Sequence, residues 1–411
     1  MKTDVLIIGG GPAGMAAALS CAQNGTKCVM VERNSFLGGI LRQCIHNGFG
    51  LHYFKEELTG PEYANRFITQ IEKNKKIKVL LNTFVTEVNG KIVTITNESG
   101  VQKIEAKAIV LAMGCRERVP ANIGLVGSRP SGVLTAGCAQ KLVNIYGKLP
   151  GKNIVILGSG DIGLIMARRL TLEGASVKAV LEINSTPSGL RRNITQCLDD
   201  FNIPLLLKTT IFEVVGNDKI EGVYYGQVDE KYNKIQSTKK FLPCDCLILS
   251  VGLTPERDLV ENLPFNRATK STFVDDLLQT NNEGVFACGN FLHVHDLVDN
   301  VTAEAIAAGK SASDYVKNGC QKVKTHTVTA GNLVGYVLPN FIRAEQGVVT
   351  LKFRLKSKVV RSNIVLKCGN NVVAKKFILA GLPGEMLTME ADKTLIKGDV
   401  VLEVEQWNLL V

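Results

Sequence analysis

The stretch from residue 4 to residue 33 constrains the fold more than any other part of the chain. Its apolar run at 5–8 predicts a buried parallel strand, and glycines follow at positions 9, 11 and 14, just before an Ala-rich helix. In this G-x-G-x-x-G spacing the first glycine permits a tight turn, the second lets the backbone approach a pyrophosphate, and the third lets the helix pack on the strand. Glu32 ends the second strand, where its carboxylate can accept hydrogen bonds from a ribose diol. The stretch therefore predicts a dinucleotide-binding unit.

Residues 153–182 repeat this pattern, with glycines at 158, 160 and 163, a helix, and a second strand that ends at Glu182. Turn-rich strands and a buried strand that stops at a glycine follow both units, at 77–114 and at 204–252, so the duplication covers whole domains. We therefore predict an α/β fold with two nested Rossmann-like domains and their β-meanders.

The acid at the end of the second unit bears on which nucleotide this unit binds. A carboxylate at Glu182 would repel a 2′-phosphate, which favours NADH over NADPH. Arg191 and Arg192 follow and are interpreted as helix-surface charges, with contact to a 2′-phosphate as the alternative.

The C-terminal part of the chain, residues 326–411, lacks a helical period and has alternating apolar runs at 333–338, 347–355, 363–367, 371–379 and 399–405. This pattern predicts a small all-β, sandwich-like domain. In the stretch 349–356 Lys352, Arg354 and Lys356 share one face. That face is either a solvated outer surface or a docking stripe for an acidic partner.

Composition excludes several classes of protein. The 411 residues contain no uninterrupted apolar stretch of about 18 residues, so no membrane span is expected. Eleven scattered cysteines, several of them in apolar strands, are typical of a reducing compartment and predict a cytoplasmic location. The net charge of +10 comes from dispersed lysines without a nucleic-acid motif, so nucleic-acid binding is not expected.

Several further segments carry a family resemblance, among them LAMG at 111–114, SVG at 250–252 and GVFACGN at 284–290. With the two glycine units they resemble the flavoproteins related to thioredoxin and glutathione reductases, over residues 1–325. The resemblance implies FAD in the first unit, with Gly39, Gly289 and Asn290 among its contacts, and NADH in the second. It also implies that a helix beginning around 296–300 points at the flavin ring. Asn290 stands where the family usually has Asp, and an amide can still hydrogen-bond the cofactor.

The cysteine pattern departs from the disulfide reductases of that superfamily. These enzymes need two neighbouring cysteines beside the flavin, whereas the partner position of Cys44 is occupied by Phe49. We therefore predict an FAD-dependent NAD(P)H oxidoreductase without a redox-active disulfide. Cys44 and His46 are the candidate catalytic residues, with a structural role for the lone cysteine as the alternative. His293 and His295 are either packed or capping histidines or proton donors near the ring.

A closer resemblance lies in the phrases LGGILRQCIHNGFG and ACGNFLHVHDLVDNVTAEAIAAG. They are similar to bacterial flavin subunits related to hydrogen cyanide synthase, opine oxidase and glycerol-3-phosphate dehydrogenase-associated oxidoreductases. This implies electron transfer to or from a partner flavoprotein or electron-carrier subunit, in a homo- or hetero-oligomer. Cys368 is the sole cysteine of the C-terminal region, which does not support an iron–sulfur cluster, and no metal is predicted. A self-sufficient NADH oxidase or quinone reductase, and a non-enzymatic flavin redox sensor, are the alternatives. The final acceptor, the organic substrate and the direction of electron flow are not specified by the sequence.

The predicted organisation is an FAD domain at 1–118 and 256–325, an NAD(H) domain at 119–255 and a C-terminal β domain at 326–411. The predicted cofactor contacts are Gly9, Gly11, Pro12, Ala13, Gly14, Glu32, Arg33, Gly39, Val85, Gly114, Gly289, Asn290, Asn300, Val301, Gly158, Gly160, Asp161, Ile162, Gly163, Glu182 and Gly252.

Overall fold

A computed structural model describes residues 1–321 and 323–406, and the chain divides into two compact units. The first unit comprises residues 1–115 together with the described residues from 255 onward, and the second comprises residues 116–254. The C-terminal β domain thus belongs to the same unit as the first glycine motif.

Up to residue 117 the helices and strands, in chain order, are β1 (Lys2–Ile8), α1 (Pro12–Gln23), β2 (Cys28–Val31), β3 (Asn47–Phe49), β4 (Leu58–Thr59), α2 (Gly60–Glu72), β5 (Ile77–Leu80), β6 (Phe84–Asn89), β7 (Ile92–Asn97), β8 (Gly100–Leu111) and β9 (Cys115–Glu117). From there to residue 255 they are β10 (Val133–Thr135), α3 (Ala136–Tyr146), β11 (Asn153–Leu157), α4 (Asp161–Leu172), β12 (Ser176–Leu181), α5 (Arg191–Cys197), β13 (Leu205–Leu206), β14 (Thr209–Gly216), β15 (Ile220–Gln227), β16 (Lys240–Pro243), β17 (Cys246–Leu249) and β18 (Leu253–Pro255). The remainder are β19 (Val285–Ala287), α6 (Val298–Asn318), β20 (Thr325–Ala330), β21 (Val334–Leu338), β22 (Phe341–Arg343), β23 (Val348–Leu355), β24 (Val359–Cys368), β25 (Asn371–Gly381), β26 (Leu387–Asp392) and β27 (Val400–Gln406).

The main sheet of the first unit has the order β5-β2-β1-β8-β7-β6, and β19 pairs with β8. β1, β2, β5, β8 and β19 run parallel, whereas β6, β7 and the first half of β8 form an antiparallel meander. The predicted strand–helix–strand opening and hairpin meander are therefore confirmed. α1 and α6 pack closely, because a Cβ on Gly309 would lie only 2.4 Å from the Ala17 carbonyl oxygen.

The second unit repeats this design on a smaller scale. Its parallel sheet has the order β10-β17-β11-β12-β13, and β14, β15 and β16 form an antiparallel sheet. α4 follows β11 as α1 follows β1, and Gly163 is needed because its Cβ would lie 2.6 Å from that of Ser250. The α/β fold with two Rossmann-like domains is confirmed.

The C-terminal part forms two facing sheets, with orders β22-β20-β27-β24-β25 and β21-β23-β26. Leu351 and Phe353 from one sheet and Ile364 and Leu366 from the other share one buried core, so the predicted β domain is confirmed. The sequence patterns missed β20, β22 and β26. Leu338 of β21 packs in the core below the main sheet of the first unit, so the β domain shares buried surface with that sheet.

Among residues 1–321 and 323–406, none of the helices combines the length and the apolar character that a membrane crossing requires.

Candidate functional site

The first glycine loop connects β1 to α1, and each of its glycines has a separate structural reason. Gly9 has φ +109°, a conformation that favours glycine, and a Cβ there would lie 2.4 Å from the Ala112 carbonyl oxygen. A Cβ on Gly14 would lie 1.8 Å from the Gly9 carbonyl oxygen. A Cβ on Gly11, the N-cap of α1, would meet no atom within 4 Å. The space in front of the helix N-terminus, with its free N–H groups, therefore fits a pyrophosphate.

Glu32 is fixed beside this loop by three hydrogen bonds. Its carboxylate is buried and accepts from the Gly10 N–H at 2.7 Å, and from the backbone N–H and side-chain amide of Asn34 at 2.8 Å each. Burial and these donors hold the acid at the end of β2, where it fits the predicted contact to a ribose diol.

Two other predicted contacts, Gly39 and Gly289, come to the first turn of α1, and a third, Val301, lies beside Gly289. A Cβ on Gly39 would lie 3.0 Å from the Cα of Gly11, and a Cβ on Gly289 would lie 2.7 Å from the Cβ of Ala13 and 3.3 Å from Val301. Distant segments of the chain therefore meet at one helix N-terminus.

Other predicted contacts are placed differently. Arg33 is exposed and pairs with Glu256 at 3.9 Å, and Val85 packs against the core beneath the main sheet. The Oδ1 of Asn290 accepts from the His295 N–H at 3.0 Å, and Asn300 is exposed in the first turn of α6. Gly114 follows β8 with φ +72° and has open space in front of its Cα. Pro12 is the first residue of α1.

The candidate catalytic residues, Cys44 and His46, both lie in the loop before β3. Cys44 is buried, and its thiol lies 3.3 Å from the carbonyl oxygen of Ile40. His46 is half-buried, and its Nδ1 lies 3.1 Å from the carbonyl oxygen of Asn47. These contacts are local and are compatible with either role that the sequence left open for Cys44.

The loop between β3 and β4 contacts the start of α6 through Asp299, a residue that the sequence analysis did not select. Asp299 is buried and accepts from the His52 N–H at 3.1 Å through Oδ2, while its Oδ1 has no hydrogen-bond partner. Tyr63 lies nearby, with its hydroxyl 2.7 Å from that of Thr302. The sequence could have identified Asp299, because it is an acid in the first turn of the helix that was expected to point at the flavin.

His293 and His295 are buried and pack against Glu304, which confirms the interpretation of packed histidines. Their Nε2 atoms lie 2.9 and 3.1 Å from the Glu304 carboxylate, and burial lowers the pKa of His293 to about 4. Lys352 from β23 donates to the same carboxylate at 2.6 Å. Burial by itself would raise the pKa of Glu304, but the Lys352 ammonium and the two imidazoles hold that pKa well below its usual value.

The face of Lys352, Arg354 and Lys356 was interpreted as a solvated outer surface or as a docking stripe. Both interpretations were wrong for Lys352 and Arg354. Lys352 pairs with Glu304 and Arg354 pairs with Asp296, and both side chains are largely buried, whereas Lys356 is exposed. Alternation correctly grouped these residues on one face, but Lys352 and Arg354 pack against α6 and the segment that precedes it.

The glycine loop of the second unit has the same construction as the first. Gly158 has φ +97°, and Gly160 is the N-cap of α4. The buried Glu182 accepts from the Ser159 N–H at 3.0 Å and from the backbone and side chain of Asn184 at 2.9 and 2.8 Å. Asp161 begins α4 and accepts from the Leu190 N–H at 2.8 Å, and Ile162 follows it.

A cavity of about 630 Å³ opens in front of this second loop. Gly158, Gly160, Glu182, Asn184 and Gly252 contribute to its walls, which fits the predicted nucleotide contacts. The cations in its lining are Arg118 and Lys234, which the sequence analysis missed because no local motif marks them. Arg191 and Arg192 are exposed at the start of α5 and are not part of the lining.

Comparison with known proteins gives one family match. The sequence model of the pyridine nucleotide-disulphide oxidoreductases matches residues 3–312. Among curated proteins, hydrogen cyanide synthase subunit HcnB of Pseudomonas protegens is 31% identical over 189 residues, which are 44% of this chain and 39% of that protein. The thioredoxin reductase of Mycolicibacterium smegmatis is 26% identical over 314 residues, which are 75% of this chain and 92% of that protein. The chain thus spans about two fifths of the length of the cyanide synthase subunit.

A related subunit and the solved structures agree with this match. An opine oxidase subunit of Agrobacterium tumefaciens is 25% identical over 289 residues, 62% of this chain and 53% of that protein. The thioredoxin reductase of T. acidophilum superposes with a TM-score of 0.63 at 19% identity, covering 76% of this chain and 98% of that structure. At this identity the likeness shows the fold alone, and the resemblance predicted from sequence is confirmed.

Proposed function

Because the chain belongs to the pyridine nucleotide-disulphide oxidoreductase family, whose members use FAD and NAD(P)H, we propose that it transfers hydride between NADH and FAD and exchanges electrons with a partner dehydrogenase subunit. The observation that carries the proposal is the duplicated loop. Gly10 and Ser159 donate to Glu32 and Glu182 in the same way, in front of two helix N-termini. Two such sites in one chain suit two dinucleotides.

When bound, FAD supplies the redox chemistry, and the protein binds and orients the two nucleotides. In this proposal Glu32 and Glu182 accept hydrogen bonds from the two riboses. The free N–H groups of the first turns of α1 and α4 contact the pyrophosphates. The N-terminus of α6 contributes its positive dipole to the flavin side of the first site, which stabilises added negative charge.

The proposed chemistry does not use a redox-active disulfide. Phe49 occupies the position where a second cysteine would be needed, and Cys44 is buried beside Ile40. The proposed partner is supported by the names of relatives that are parts of larger enzymes, namely the cyanide synthase subunit, the opine oxidase subunit and the small chain of glutamate synthase of Escherichia coli. Residues 3–312 account for the family match, and the cytoplasmic location stays a prediction from cysteine usage.

The test is anaerobic stopped-flow reduction of the FAD-loaded protein by NADH and by NADPH, followed by identification of chains that co-purify. We expect NADH to bleach the flavin in one step and turnover with oxygen or a quinone to be slow without a partner. Rapid turnover by the chain alone would support a self-sufficient oxidase or quinone reductase. An FAD-loaded protein that neither nucleotide reduces would support a flavin redox sensor and overturn the proposal.

A further inference from the structure

A buried carboxylate joins the C-terminal β domain to the segment that enters α6. Glu304, which is 4% exposed, accepts from the Gly289 N–H at 2.9 Å and from Lys352 at 2.6 Å. The Nε2 atoms of His293 and His295 lie 2.9 and 3.1 Å from the same carboxylate. Gly289 is the second residue after β19 and lies against α1, whereas Lys352 lies in β23. One side chain therefore connects a glycine of the first site to the β domain.

These residues resemble a metal site, because the donor atoms of His293, His295 and Glu304 all lie within 4.8 Å of one another. The ammonium of Lys352, however, stands 2.6 Å from the Glu304 oxygen that also faces His293. A divalent cation there would meet the positive charge of the lysine at the shared oxygen. The arrangement is that of a buried ion pair in which the ammonium takes the place of a metal.

A second contact joins the β domain to the same segment. Arg354 pairs with Asp296 and donates to the Val294 carbonyl oxygen at 3.0 Å, and Asp296 also accepts from the Met386 N–H at 2.9 Å. The Tyr336 hydroxyl accepts from Arg354 at 3.2 Å. The segment from residue 289 to residue 297 is thus held near its end by Arg354 of the β domain and at Gly289 by Glu304 of α6, which Lys352 of the β domain pairs with in turn.

We propose that Lys352 and Arg354 are positioning residues for the flavin site, holding Gly289 and the first turn of α6 in the geometry that binds FAD. This inference rests on the proposed function, since it takes the first glycine loop as the FAD site. Gly289 has little room to move, because a Cβ there would lie 2.7 Å from the Cβ of Ala13. If the charge of Lys352 is removed, the buried Glu304 keeps its desolvation cost without its strongest partner. The carboxylate must then move toward water, take up a proton, or draw a proton onto His293 or His295, and each of these changes the charge or the geometry of the group that accepts from the Gly289 N–H.

The test measures FAD affinity in the full chain by quenching of flavin fluorescence, together with visible circular dichroism of the bound flavin and thermal unfolding of the apoprotein. Lys352→Met should weaken FAD binding about tenfold or more, because the buried carboxylate loses its counter-charge. Lys352→Arg should bind FAD within about threefold of wild type, because it keeps that charge. Lys356→Met, at the exposed residue that directly follows the same strand, is the matched control and should bind FAD like wild type.

A double variant keeps the test decisive if Lys352→Met folds poorly. Glu304→Gln combined with Lys352→Met removes both charges, so it should bind FAD more tightly than Lys352→Met alone and restore the flavin dichroism. Equal FAD affinities for Lys352→Met, Lys356→Met and wild type would overturn the inference. So would a stoichiometric metal in the purified wild type that His293→Ala removes. A wild-type chain that binds no FAD would instead refute the proposed function, which separates the two failures.

Discussion

Substitution of the two glycines at the start of α1 should affect different properties: FAD binding at Gly11 and the unfolding free energy at Gly14. Gly11→Val enlarges a position with φ −76° and ψ −173°, which valine adopts readily, and a Cβ there meets no protein atom within 4 Å. We expect the unfolding free energy of the apoprotein to fall by no more than about 1 kcal/mol, the cost of a poor N-cap residue. The side chain would fill the space in front of the helix N-terminus, so FAD binding should be lost.

Gly14→Ala adds a single methyl group at a position without space. Its Cβ would lie 1.8 Å from the Gly9 carbonyl oxygen and 2.9 Å from the carbonyl carbon. Since neither atom can move without the loop, we expect the unfolding free energy to fall by about 3 kcal/mol, at the upper end of overpacking costs.

Thermal and denaturant unfolding of the two apoproteins, measured beside flavin content after reconstitution, compares the two effects directly. Gly11→Val should be folded and colourless, and Gly14→Ala should be destabilised. The reasoning is refuted if Gly11→Val retains one FAD per chain, or if it loses as much stability as Gly14→Ala.

Three further predictions concern the second unit and the pH response. Glu182→Gln should weaken NADH binding about tenfold or more, because a charge-assisted hydrogen bond to the ribose is lost; nucleotide titration checks this, with the exposed Glu221→Gln as control, and equal affinities for both variants would contradict it. NADH should reduce the wild-type flavin faster than NADPH does. Lys234→Ala should slow reduction of the flavin by NADPH more than Arg192→Ala does, because Lys234 lines the cavity. If stopped-flow traces show the larger effect for Arg192→Ala, the 2′-phosphate contact belongs to α5. Burial raises the pKa of Asp275 from 3.8 to about 6, so the folded state binds this proton more tightly than the unfolded state and the unfolding free energy should fall as the pH rises from about 4 to about 6. Denaturant unfolding over this range should show a flatter pH profile for Asp275→Asn, and an unchanged profile would exclude Asp275 as the cause.

The parts of the fold that the sequence predicted are those with local, repeated patterns. The two glycine units and their acids were predicted because strand, loop, helix and second strand follow one another within about 30 residues. The Glu304–Lys352 pair was not predicted, because its partners are separated by 48 residues and each is an unremarkable charge in its own element. Alternation in β23 showed that Lys352 and Arg354 share a face, but it carries no information about what covers that face.

The strands missed in the β domain have a related explanation. β22 has only three residues, which is too few to show alternation. In β26 the buried Met389 and Ala391 alternate with exposed residues, but the strand has only six residues and three apolar side chains. Both strands are recognisable only from their pairing with β20 and β23, which is non-local information.

Glu32 and Glu182 both accept from a loop N–H and from the asparagine two residues on, although Glu182 also accepts from the Ser159 and Ser188 hydroxyls. The shared part of this arrangement has a kinetic consequence. If both carboxylates bind a ribose in the same way, this contact cannot explain why one nucleotide would dissociate slowly and the other rapidly. A difference in dissociation rate must then come from the residues that surround each carboxylate. At the first loop Gly39 and Gly289 lie close against the first turn of α1, so we expect the cofactor to leave only when these distant segments move. The second loop faces a cavity of about 630 Å³. We therefore expect these surroundings to set the dissociation rates of the two nucleotides. A variant that makes the segment 289–297 more mobile should allow FAD to exchange with free FAD.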